Sequence, residues 1–122
     1  MSDADLLDTV TSTATELADL LADDDTLEPD VRELLFSLAD GLRRSAQTFK
    51  MTGAEGVARE RDLLVGRLTT NVGLREHVRS HPRAVEVIGR FLTRTTLVAS
   101  FFTTAVDAGE DVQKIIQAIT AG

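Results

Sequence analysis

His77 and His81 are the chain's two histidines, and their four-residue spacing would let two imidazoles on one helix share a metal ion. Glu76, next to His77, points about 100° away on a helix, and no Glu follows His77 as in the zinc-protease pattern. With no third ligand in view, both histidines are expected to be structural or solvent-facing, and neither a metal nor a cofactor is expected. Asp23, Asp24, Asp25, Glu28 and Asp30 have the composition of a calcium loop. An EF-hand, however, needs Gly at its sixth position and Glu at its twelfth, and counting from Asp23 these are Glu28 and Leu34. A solvated acidic turn is expected instead.

Other catalytic constellations fail in similar ways. Gly53-x-x-Gly56 lacks both the Lys-Ser/Thr and the preceding strand of a phosphate loop, and no Gly-x-Ser-x-Gly elbow occurs. The absence of cysteine excludes thiolate nucleophiles, thiolate metal sites and disulfides. A non-enzymatic chain is therefore expected, with a small metal-binding or enzymatic domain as the third reading.

Two kinds of surface could bind a partner. Arg75, Arg79 and Arg83 are four apart, as are Arg90 and Arg94, a spacing that on a continuous helix would track a phosphate backbone. Pro82 interrupts that helix, no aromatic residues interleave for base stacking, and the sequence pI of about 4.7 opposes non-specific binding. A nucleic-acid-associated subunit using these five arginines is the alternative reading. The second surface is apolar: Leu97, Val98, Phe101, Phe102 and Val106, with Ile115, Ile116 and Ile119 further on. The spacing predicts a helix apolar on nearly every side beyond Leu97, more than a small monomer can surround, and so a patch for a protein partner.

The elements that would position these residues are all helical. Ser2 with Asp5 makes an N-cap pattern opening a first helix over residues 3–22. Pro29 opens a second, with Val31, Leu34, Leu35, Leu38, Leu42 and Phe49 in one stripe; Gly41 inside it suits close helix approach. A third is predicted over 54–72, with Val57, Leu64, Leu68 and Val72 on one face and Gly73 as a left-handed cap. A short segment over 74–79 follows, then a long fourth helix over 82–108 ended by Gly109, and a shorter last one over 111–120. The expected fold is all-α, a single domain over 1–122: a bundle of four main helices plus a shorter C-terminal helix.

Charge is unevenly divided. Residues 1–30 hold ten acids and no base, residues 31–106 hold twelve bases against seven acids, and the chain totals −7. Such asymmetry points to a partner within the chain, in a neighbouring subunit, or in a polyanion. Arg outnumbers Lys eleven to two and Asp outnumbers Glu twelve to eight, a bias of salt-adapted (halophilic) proteins and of GC-rich coding alike. The N-terminus has no basic, apolar leader, and the uncharged stretch over 95–106 is far shorter than the roughly twenty apolar residues of a membrane span. The expectation is a soluble, cytoplasmic subunit or adaptor of a homo- or hetero-oligomer, such as a virus particle assembled in the cytoplasm or a multisubunit complex.

Overall fold

The computed structural model describes residues 2–99 and the backbone of 105–120, with side chains of the last helix at 110 and 112–120. Among the described residues there are seven helices and no strand: α1 Asp3–Asp23, α2 Pro29–Gln47, α3 Phe49–Thr52, α4 Ala54–Thr70, α5 Val72–Arg79, α6 Pro82–Thr95 and α7 Ala105–Thr120. The all-α expectation holds; the division into four helices and a short one does not.

Local chemistry accounts for most of the boundaries. The Ser2 hydroxyl accepts from the Asp5 amide at 3.1 Å, satisfying one of the free donors that open α1. At the far end Arg32 donates to the carbonyls of Leu21 (3.0 Å) and Asp24 (2.8 Å), tying the end of α1 to the start of α2. Pro29 occupies the first turn of α2, where its missing N–H costs nothing. α2 stops at Gln47, so Phe49 belongs to the one-turn α3, which ends at Gly53 with φ +54°.

Three expected boundaries are corrected. α4 ends at Thr70 because Asn71 turns extended and its side-chain oxygen accepts from the Leu74 amide at 3.0 Å, capping a new helix. Gly73 is therefore in the first turn of α5 and caps nothing, while Val72, placed on the core face of a longer helix, is 59% exposed. The long fourth helix stops at Thr95. The side chain of Arg61, wholly buried on α4, donates to the Thr95 carbonyl at 2.7 Å and to that of Val98, binding carbonyls that helix ends leave free. Finally, α7 starts at Ala105, so Gly109 lies inside a helix rather than ending one.

α1 and α2 form an antiparallel hairpin, and α6 lies along another flank of α1. α4 packs beside α2, and α7 closes against α4, α5 and α6. The core runs through all of them: Val10 and Leu17 of α1, Leu35 and Leu42 of α2, Leu68, Val78, Ile88 and Phe91 are fully enclosed. Each such side chain contributes about 1.5–3 kcal/mol on burial. Among the described residues, no helix is long and apolar enough to cross a membrane.

Candidate functional site

The two histidines do not converge. His77 Nδ1 lies 2.9 Å from Asp30 Oδ2 and His81 Nε2 lies 2.6 Å from Glu28 Oε2, so each bridges to its own acid at the start of α2. Among the described residues no three His or acidic side chains are grouped to hold a metal ion. The hydrogen bond that His77 makes to the Asp30 carboxylate raises its pKa. The Glu28 carboxyl is held below its usual range, first by its own backbone amide and then by His81. In the acidic turn, Asp24 is lowered by the Thr26 hydroxyl and amide, the latter at 2.8 Å, which makes a local turn motif of it.

The five arginines separate into two groups. Arg75 donates to the Leu68 carbonyl at 3.1 Å at the end of α4, and Arg79 pairs with Glu76 one turn back. The remaining three belong to α6. Arg90 bridges Glu16 of α1 and Glu86 of its own helix (2.7 Å to Glu86). Arg83 shares a cleft with Glu16 and Asp19, and Arg94 shares one with Asp8. The order Asp8–Arg94, Glu16–Arg90, Asp19–Arg83 is that of antiparallel helices. Along the α1–α6 seam, one ion pair and two shared clefts thus set acids of α1 near bases of α6 within the chain.

Of the predicted apolar partner surface, the described residues other than Leu97 are drawn inward. Val98, Ile115 and Ile119 are buried in the core and Ile116 is half-buried, whereas Leu97 is 86% exposed. Phe101, Phe102 and the side chain of Val106 lie outside the described residues.

Two features were missed. Arg61 occupies the position of a core residue, four after Val57 and seven before Leu68, and its Nε and second guanidinium nitrogen bind Asp62 Oδ1 at 3.1 and 3.0 Å. That placement inside an apolar stripe was the available signal. The other feature is the outer face of the α1–α2 hairpin, a groove of about 300 Å³ between Thr11, Ala14, Thr15 and Ala18 on one side and Ala39, Arg43 and Ala46 on the other. Beside it Phe36 stands 61% exposed, sharing a flank of α2 with Ala39 and Arg43 at spacings of three and seven.

That groove has a sequence signature. Besides its core stripe (Leu6, Val10, Thr13, Leu17, Leu20), α1 carries a second uncharged stripe at three- and four-residue steps: Ala4, Leu7, Thr11, Ala14, Ala18 and Leu21. On α2 the facing stripe is Arg32, Phe36, Ala39, Arg43 and Ala46, also at alternating four and three. This is the spacing by which helices pack knobs into holes. No protein-family model matches this chain, and neither a curated protein nor a solved structure is significantly similar to it.

Proposed function

We propose that the chain is a non-enzymatic assembly subunit that pairs with a second copy through the α1–α2 face. The observation that carries this reading is the second uncharged stripe on α1, the most acidic helix of the chain, exposed at Ala4, Thr11 and Ala18 and partly exposed at Leu7, Ala14 and Leu21, beside an exposed Phe36. A large aromatic on a free helix flank next to a small-residue groove is the make-up of an anchor and its pocket. With Val98, Ile115 and Ile119 committed to the core, the partner-binding role moves from the C-terminal helices to this hairpin.

Size and charge support the same arrangement. Helices of 21 and 19 residues present a face about 30 Å long and about 20 Å wide, or roughly 600 Å² per partner, close to the about 800 Å² of a standard interface. Two ways of stacking identical hairpins exist. One sets α1 on α1 and opposes two helices that each carry six acids and no base; the other sets α1 on α2, whose outer flank carries Arg32 and Arg43. Like-charge opposition disfavours the first. A twofold axis parallel to the helices generates the second, antiparallel and with residues kept at their own height, so Thr15 of one copy meets Arg43 of the other.

The nucleic-acid reading gains nothing comparable, since Arg90 is paired with Glu16 and Arg83 and Arg94 line clefts that also hold acids of α1. The test is light scattering across concentration for the wild type and Phe36→Glu. A dimer that the substitution converts to a folded monomer supports the proposal; a wild type that stays monomeric at high concentration overturns it.

A further inference from the structure

On the opposite flank of α2 from Ala39, a second, smaller groove runs between α2 and α4. Its cavity of about 120 Å³ is lined by Leu34, Leu38, Leu63 and Leu64, with Ser37 between the helices. Its ends differ in charge. At one, Arg67 is offset by Glu33 at 3.9 Å. At the other lies the carboxylate of Glu60, half-buried with its oxygens still open to water, and among the described residues no hydrogen bond or ion pair engages it.

The sequence makes room for that carboxylate. A Cβ at position 41 would stand 1.9 Å from Glu60 Oε1, so the side chain rests directly on the Gly41 backbone. Gly in the middle of α2 costs about as much helix stability as any residue but proline. It admits an acid against a leucine floor where burial raises its pKa, with the charges of Arg44 and Arg59 acting in the opposite direction. An apolar channel ending on a carboxylate that has no direct ion-pair partner among the described residues is complementary to an apolar chain ending in a cation.

We propose that the α2–α4 groove receives a lysine side chain of a protein partner, its aliphatic stem along the leucines and its ammonium on Glu60. The site is separate from the self-association face, and its test does not depend on that face.

The experiment titrates the full-length protein, with methyl-labelled leucines followed by NMR, using n-pentylammonium as the lysine mimic and n-pentanol and pentanoate as neutral and anionic controls. Such small probes bind in the range of roughly tens of millimolar, so titrations extend beyond it. Saturable shifts at Leu34, Leu38, Leu63 and Leu64 are expected, with pentylammonium at least about threefold tighter than pentanol, the scale of one partly exposed ion pair. Glu60→Gln, judged folded by circular dichroism, should bring the two probes level, and Gly41→Ala should do the same by displacing the carboxylate. Equal binding of pentanol and pentylammonium to the wild type, a preference that survives Glu60→Gln, or no saturable shift at these methyls would each overturn the proposal.

Discussion

Arg61 and Thr95, thirty-four residues apart in sequence, are joined by a 2.7 Å hydrogen bond from a wholly buried guanidinium to the last carbonyl of α6. The same side chain holds Asp62 and reaches the Val98 carbonyl, so one cation ends a helix and fixes the turn beyond it. Removing it takes one partner from a buried carboxylate and frees two carbonyls. Arg61→Met is expected to cost about 3–5 kcal/mol, the range for one partner of a buried pair. Arg61→Lys should recover only part of this, because a single ammonium cannot replace the fork that spans Asp62 and Thr95. Denaturant titrations of the three proteins measure both differences.

The α1–α6 seam makes an electrostatic prediction. Arg90 faces Glu16 and Glu86, all partly exposed, so Arg90→Ala should cost only about 0.5–1 kcal/mol. Arg90→Glu places three carboxylates together and should be clearly worse at low salt. Because the Debye length falls to about 3 Å at about 1 M salt, the gap between the two variants should shrink there. Thermal melts at low and high salt test this, and a salt-independent gap would exclude a charge origin.

The histidine bridges predict a pH window. The folded pKa of His77 is raised from 6.5, so its contribution is complete below 6.5 and is lost as pH rises through the higher folded value. The folded pKa of Glu28 is lowered from 4.5, so its contribution is complete above 4.5 and is lost as pH falls through the lower folded value. Both are therefore present between these limits. A small loss of stability from pH 6.5 to about 8 is expected in the wild type and not in His77→Gln, measured as denaturant midpoints.

Gly73 gives a prediction of opposite sign to the one its sequence suggests. A left-handed cap would make Gly73→Ala destabilising, but this residue lies in the first turn of α5, where a Cβ meets nothing closer than Asn71 Oδ1 at 3.6 Å. Gly73→Ala should therefore stabilise the protein, by up to about 1 kcal/mol. Asn71→Ala removes the cap and should cost about 1 kcal/mol. Equilibrium unfolding of the two variants settles the sign.

These cases mark where the sequence could be followed and where it could not. Ser2, Pro29 and the stripe from Val31 to Leu42 place α1 and α2 correctly because each signal acts within a few residues. The break after Thr95 is written in no neighbouring residue: it depends on Arg61, which folds back from α4. Asn71 and Gly73 both suit a helix boundary, and only the hydrogen bond to Leu74 decides that Asn71 takes the role. The charge asymmetry is plain in the sequence, but the Glu16–Arg90 pair between α1 and α6 required knowing that these helices run antiparallel. The inward placement of Ile115 and Ile119 likewise follows from α7 packing on α4, α5 and α6, a relationship between distant segments.

The most direct test of pairing through the α1–α2 face uses the absence of native cysteine. Thr15→Cys and Arg43→Cys are prepared separately, mixed as reduced proteins, and oxidised while dilute enough to limit random collisions. With α1 lying on α2 of the second copy, the mixed sample should form a disulfide-linked dimer far more readily than either variant alone. Cross-linking of Thr15→Cys with itself at the same rate, or no cross-linking above that of an unrelated surface cysteine, would contradict the account.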